Sequence, residues 1–259
     1  MSGLWKWDSE LYVKFLAERT RPSYDLAMRI ENITPSSCID IGCGPGNSTA
    51  VLAERFPDAH MTGADYSAEM IEKAKKEHPA FDFIRFDASS DFDKITQRFN
   101  VVFSNACIQW IPDHPALLKN MMGLLNDGGI LAVQTPMNYS EPIHVIISEL
   151  VKSAKWRDKL SQARIFHNLT QEEYFDVLSG ISSDFNLWET VYMHRMPSHE
   201  SIMEWYKGTG LRPYLSALSD NDASEFEDEV FSEVKKAYPV QANGEIIFRF
   251  PRFFFTAVK

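Results

Sequence analysis

The residues best equipped to do chemistry lie in Asp40-Ile41-Gly42-Cys43-Gly44-Pro45-Gly46-Asn47-Ser48. Glycines at alternate positions let the backbone turn sharply and let a ligand approach without a Cβ in the way. The apolar run before them and the helix-forming run after them supply the strand–turn–helix setting that a nucleotide-binding turn requires. An acidic residue roughly 20 positions beyond such glycines accepts hydrogen bonds from ribose hydroxyls, and Asp65 in Gly63-Ala64-Asp65-Tyr66-Ser67 fills that place. Its alternative role is a helix N-cap, although Ser67 suits that better. Asp87, followed by Ala88, closes another strand; its carboxylate suits an adenine amino group, or else belongs to a solvated turn. Dehydrogenases want Gly-x-Gly-x-x-Gly, and here the third glycine, Gly46, comes one residue early.

Three cysteines, Cys38, Cys43 and Cys107, form no C-x-x-C pair and leave an odd count. No zinc site or other metal site is expected, and a reduced compartment is the simpler reading.

The elements that must hold these residues alternate. Ser37–Ile41, His60–Asp65, Phe81–Phe86, Asn100–Ser104 and Ile130–Gln134 read as strands. Helices are expected over Ser48–Arg55, through Met70, Ile71 and Ala74, and over Leu117–Leu125, the last ended by Asp127-Gly128-Gly129. Such alternation implies an α/β fold, a parallel sheet with helices on both faces. Before it, Glu10–Ala17 and Ser23–Ile30 read as helices broken at Arg19-Thr20-Arg21-Pro22. After Pro136 come helical runs around Ile143–Ser153, Gln171–Leu178, His199–Tyr206 and Ala223–Ala237, interleaved with β-like runs at Trp188–Met193 and Glu245–Phe250. With no repeat or low-complexity linker, the 259 residues read as one domain: a core of about 36–136, N-terminal helices within 8–31, and helical additions over about 137–243 forming a lid.

Hydrophobic residues at 44% and charged residues at 24% are an ordinary globular balance. A net charge of −10 offers no broad basic surface to nucleic acid, and a small anionic substrate needs a local cluster of Arg and His set against that field. The N-terminus lacks an apolar signal region and no long uncharged apolar run follows, so a soluble cytoplasmic protein without a membrane partner is expected. The oligomeric state stays open, a monomer being compatible.

As a set, the glycine turn, Asp65 and Asp87 resemble the class I S-adenosylmethionine-dependent methyltransferases, over about residues 36–136. The resemblance implies a Rossmann-like sheet and S-adenosyl-L-methionine as cofactor. Asp40 would reach the methionine ammonium through the loop; Gly42, Cys43, Gly44 and Gly46 would line methionine and ribose. Asp65, with Tyr66 and Ser67 beside it, would bind the ribose, Asp87 and Ala88 the adenine, and Asn105 and Ala106 the methionine end. Ser104–Trp110 is not the Asn-Pro-Pro-Tyr type seen in amino-methylating nucleic-acid enzymes, and Trp110 could pack beside the sulfonium with some cation–π gain, or merely fill the rim.

Over nearly its full length, core runs such as Gly42–Ala50 included, the chain resembles the trans-aconitate 2-methyltransferase family. The similarity rests on Tyr12, Ala17-Glu18-Arg19, Arg21-Pro22, Gln109–His114, Ala132–Pro136, Asn138–His144, Met196–His199, Thr209–Pro213 and Phe250–Arg252; the stretch from about 150 to 168 matches little. It implies O-methylation of a small polycarboxylate. Arg19, Arg21, His144, His199, Arg212 and Arg252 are the expected donors to carboxylates, since Arg forks bind them in bidentate fashion, although a surface Arg taken alone is a solvated charge more often than not. A carboxylate nucleophile is ionised near neutral pH, so no catalytic base is expected, and Trp110 and Tyr12 would serve only to position. The alternatives are a phenol or quinone-precursor methyltransferase, with His114 or His144 as base, a catalytically silent binding protein, and an NAD-dependent oxidoreductase.

Overall fold

The structure is a computed structural model that describes residues 16–161, 163 and 166–259, with side chains from residue 20 onward. The described strands form a seven-stranded sheet. Their ranges are β1 (Ser37–Ile41), β2 (His60–Asp65), β3 (Asp82–Arg85), β4 (Phe99–Asn105), β5 (Leu125–Pro136), β6 (Phe185–Met196) and β7 (Ile246–Val258). Their order is β3-β2-β1-β4-β5-β7-β6. Pairs β1–β2, β1–β4, β2–β3 and β4–β5 are parallel, and β7 joins β5 antiparallel. The order reverses at β1, so the carboxyl ends of β1, β2 and β4 face a topological switch point, where open α/β sheets bind ligands.

The helices are α1 (Leu16–Ala27), α2 (Asn47–Arg55), α3 (Ala68–Glu77), α4 (His114–Gly123), α5 (Pro142–Lys152), α6 (Gln171–Ser179), α7 (His199–Lys207), the short α8 (Arg212–Leu215) and α9 (Asp220–Ala237). Their starts follow the sequence. Ser67 accepts from Met70 N at α3, and Thr170 with Glu173 makes a complete capping box at α6.

The chain divides into two compact units. One contains Thr20–Met137, Phe166–Thr190 and Arg252–Lys259. On one face of its sheet, Val102, Leu131, Val133, Phe253 and Phe255 share a core with Leu118, Met121, Tyr174 and Leu178. On the other face Trp188 stacks on Phe254 at 5.1 Å, with the Arg29 guanidinium over the indole. The other unit contains Asn138–Ile165, Val191–Pro251 and the described part of Met1–Arg19. Its core is aromatic, built on Trp156, Trp205, Tyr206, Phe226 and Phe248.

Several expectations need correction. No break occurs at Arg19–Pro22; α1 runs through Pro22, and Ser23 Oγ donates to the Thr20 carbonyl at 2.7 Å beside it. Gly128 and Gly129 do not end a helix. α4 closes at Leu124, and the glycines lie inside β5, where Gly128 N–H donates to the Lys259 carbonyl. The strand read over Glu245–Phe250 continues past Pro251 to Val258, and that continuation completes the sheet beside β5. Among the described residues no helix is long and apolar enough to cross a membrane, and no three His, Cys, Asp or Glu side chains gather as a metal site.

Candidate active site

Strand β1 delivers Asp40 to the start of the glycine turn, where it is 0% exposed. Its Oδ2 accepts from Ser48 Oγ at 2.6 Å and Thr49 Oγ1 at 2.8 Å, both at the start of α2. The carboxylate thus ties the end of β1 to the helix that follows. Burial pushes its pKa up to about 6 against the lowering effect of the two hydroxyls. Oδ1 is buried with no hydrogen-bond partner among the described residues.

Beyond Asp40 the chain folds back on β2, with Gly42 N–H and Cys43 N–H both donating to the Ala64 carbonyl. Two glycines do different work here. A Cβ on Gly42 would lie 2.1 Å from Cys107 Sγ, so this position is small because Cys107 packs on it. A Cβ on Gly44 would meet nothing within 4 Å, so here the turn opens onto free space. Gly46 follows as the N-cap of α2.

Asp65 closes the turn from the side. Its Oδ2 accepts from Gly44 N–H at 2.9 Å and its Oδ1 from Ser67 N–H at 2.8 Å, each oxygen keeping a further acceptor site. Ser67 is the α3 cap expected of it. Tyr66 between them is 65% exposed, with the Arg85 guanidinium 5.9 Å from its ring centre. Asp87 Oδ1 accepts from Ser89 N–H and Oγ, the pattern of a capped turn, and Ala88 is buried next to it.

At the carboxyl end of β4, Asn105 Oδ1 is buried without a hydrogen-bond partner. Ala106 turns the chain with φ 53°, a left-handed conformation that costs a non-glycine residue about 1–2 kcal/mol. Gln109 Nε2 steadies that turn by donating to the Ala106 carbonyl at 2.7 Å, and Ala106 N–H donates to the Gln134 carbonyl. Trp110 packs 4.6 Å from Phe166, ring centre to ring centre.

His114 is a core residue. Its Nε2 lies 2.9 Å from the Ile108 carbonyl and its Nδ1 2.6 Å from the Tyr174 hydroxyl, so the ring is held as the Nε2–H tautomer, and burial lowers its pKa. Both nitrogens are engaged, which removes it as a base.

The expected carboxylate donors divide between the two units. In the first, Arg21 is 71% exposed beside Asp25, whereas Arg252 is only 7% exposed, opposite Pro136 in the β5–β7 register. In the second, Arg212 opens α8 and is exposed. His199 directs Nε2 at the Tyr238 carbonyl at 2.8 Å, a contact that holds its own unit together. His144 lies edge-on to Tyr139 and Tyr206, and burial pulls its pKa down to about 4, so near neutral pH it offers an N–H but no charge. The Arg19 side chain and all of Tyr12 lie outside the described residues.

Sequence reasoning gave no role to Gln134. It is fully buried near the end of β5, with neither amide atom hydrogen-bonded. The available signal was a glutamine closing the otherwise apolar run Ile130–Val133 at a strand's carboxyl end. Nothing local to Cys107 in the sequence reveals that it packs on Gly42.

A methyltransferase-domain family model matches residues 35–201. A protein of Rhodopseudomonas palustris (strain HaA2) named trans-aconitate 2-methyltransferase is 40% identical over 98% of this chain and 99% of its own length. One of the same name from Enterobacter sp. (strain 638) is 38% identical, covering 97% of each chain. Among solved structures, a Haemonchus contortus phosphoethanolamine N-methyltransferase 2, bound to phosphomonomethylethanolamine and S-adenosylhomocysteine, superposes with a TM-score of 0.56 at 19% identity, over 92% of this chain and 52% of that one. At that identity the likeness concerns the fold alone.

Proposed function

Since the chain belongs to the methyltransferase-domain family, we propose that it transfers the methyl group of S-adenosyl-L-methionine to one carboxylate of trans-aconitate, giving a monomethyl ester. The observation that carries this reading is the 40% identity over 98% of the chain to a relative named for that reaction, because it extends well beyond the cofactor-binding core.

The residues of the glycine turn fit such a cofactor. Gly44 leaves space for a ligand to approach, Asp65 keeps acceptor sites for ribose hydroxyls, and the unpaired Oδ1 atoms of Asp40 and Asn105 are acceptors suited to an ammonium. Tyr66 and Ser67 would flank the ribose, Asp87 and Ala88 the adenine, and Cys43, Gly46 and Ala106 would complete the lining. When bound, the cofactor supplies a methyl group activated on a sulfonium.

The chain's own work is positioning. The acceptor carboxylate needs no base near neutral pH, since carboxylates ionise around pH 4, and His114 has no free nitrogen with which to act as one. Trp110, steadied by Phe166, is the side chain we place beside the sulfonium, with Tyr12 as a second positioning group. Arg19, Arg21, Arg212, Arg252, His144 and His199 are the proposed donors to substrate carboxylates, each to be tested singly. Arg252 is the first of them to test, because its side chain is buried on β7 where that strand pairs with the end of β5. We place the reaction in the cytoplasm, on a small-molecule substrate and without nucleic acid, whose phosphates the net charge of −10 would repel.

The test is turnover with labelled S-adenosyl-L-methionine across trans-aconitate, citrate, isocitrate and a panel of phenols, with the product identified by mass. Methylation of trans-aconitate above the others is the expected result. Turnover of phenols alone would replace the reading with the alternative one, and no turnover of any acceptor would leave a binding protein.

A further inference from the structure

Gln134 carries the least explained polar group in the sheet. Its side chain is completely buried, and neither Oε1 nor Nε2 has a hydrogen-bond partner among the described residues. Leaving a buried polar group unpaired costs about 1–3 kcal/mol, so such a residue persists only where something offsets it.

Its surroundings indicate what does so. Gln134 pairs with Asn105 on β4 and with Phe254 on β7, and Pro136 pairs with Arg252. Paired residues share a face of the sheet, as do alternate residues along a strand. Asn105 and Gln134 therefore share one row of one face at the carboxyl edge of β4 and β5, and Arg252, on the antiparallel β7, stands on the same face one row further on. Asn105 Oδ1 is unpaired and buried like the Gln134 amide. The opposite face at the same level is satisfied: Thr135 Oγ1 meets Gln109 Oε1, and Asn168 Nδ2 donates to Thr135 Oγ1 and the Pro136 carbonyl. Among the described residues, only this face thus presents unpaired amides at this level, at the edge where open α/β sheets bind ligands.

We propose that Gln134 binds the substrate, its Nε2 donating to a carboxylate oxygen of the polycarboxylate next to the Arg252 guanidinium. The inference rests on the carboxyl-methylation reading above and adds a residue to it. A neutral donor has a chemical advantage at this place. A full positive charge on the attacking carboxylate would draw off the electron density that the methyl transfer uses, whereas an amide orients the oxygen and leaves its charge largely intact.

The experiment compares Gln134→Met, Gln134→Leu and Gln134→Glu with the wild type. Because no described residue supplies a partner to the amide, the two apolar variants should melt at the wild-type temperature or above it. They should bind S-adenosylhomocysteine within about twofold of wild type, yet lose about 10–100-fold in kcat/KM for trans-aconitate. Gln134→Glu should raise the KM by about 100-fold or more, through like-charge repulsion. A purely structural glutamine predicts the reverse for the apolar pair, lower stability with intact kinetics. Loss of stability in both Met and Leu variants, or an unchanged kcat/KM in both, would overturn the inference. Wild-type turnover is measured first. Its absence would overturn the functional reading and this inference together, while normal wild-type turnover with unaffected variants overturns the inference alone.

Discussion

Gly42 and Gly44 stand two residues apart in one turn and should fail in opposite ways when enlarged. Gly42→Ala drives a Cβ into Cys107, a clash worth about 1–3 kcal/mol of stability in addition to the strain of its positive φ. Cys107→Gly in the same chain should restore part of that loss, and a double-mutant cycle on melting temperature reads the coupling. Additive effects would mean that Cys107 does not set the size of position 42. Gly44→Val meets no neighbour, so beyond about 1–2 kcal/mol of backbone strain it should stay folded and lose binding of S-adenosylhomocysteine. Normal binding by that variant would move the cofactor elsewhere. Asp65 is the third residue to test. Replacing it with Ala removes the acceptor facing Gly44 N–H and Ser67 N–H, and cofactor affinity should fall by about 1–3 kcal/mol in a calorimetric titration. Unchanged affinity would reduce Asp65 to a turn residue.

At the scale of the element, α5 carries a group whose titration can be read. His144 is held between Tyr139 and Tyr206, and its pKa is lowered to about 4. A histidine depressed below its unfolded value of about 6.5 binds its proton less readily in the fold, so its contribution to stability is complete above that pH and is lost as pH falls toward 4. Asp40 has the opposite sign in an overlapping window, because its raised pKa of about 6 favours the protonated fold at lower pH. The comparison must therefore be with His144→Phe, which leaves Asp40 untouched. In denaturant unfolding from pH 7.5 to 4.5, the wild type should lose up to about 1.4 kcal/mol per pH unit that the variant keeps; parallel curves would mean that His144 titrates normally. The same scale shows what the sequence makes legible. Strands β1 to β5 and their helices follow from alternation, because each buries a stripe or face whose period survives in the residue pattern. Phe253-Phe254-Phe255 has no such period, since Phe253 and Phe255 pack on one side and Phe254 on the other, and Pro251 reads as a stop. Pro22 misleads in the same way, because a helix anchored by the fully buried Leu26 tolerates an interior proline that local propensity forbids. The cofactor turn was legible as a contiguous motif. Gln134 was not, because its importance lies in what fails to pair with it across three strands.

Over the whole molecule, the chain passes between its two units four times after residue 20, and β6 and β7 each run from one unit into the other. Neither unit is a contiguous segment that could be excised, so the candidate donors must be judged in the intact protein, against its net charge of −10. That charge gives the proposed reaction a salt signature. A trianion approaching the protein is repelled at long range, and the repulsion is screened over about 10 Å at 0.1 M salt. Short-range donation from a buried group such as Arg252 is screened far less. If buried donors dominate, raising salt from about 10 to 100 mM should increase kcat/KM for trans-aconitate by about two- to threefold, since only the unfavourable part of the field is removed. If exposed Arg21 and Arg212 steer the substrate, the same change should lower it, because their attraction is the part most exposed to counter-ions. A neutral triester analogue, followed by competition, serves as the control and should show no salt dependence of this kind. Single Arg→Ala variants then assign the effect. Arg252→Ala should raise KM by about 2–4 kcal/mol in equivalent free energy while leaving cofactor titration unchanged. A kcat/KM that falls with salt in the wild type and becomes flat in Arg212→Ala would transfer the main recognition role from Arg252 to the exposed residue.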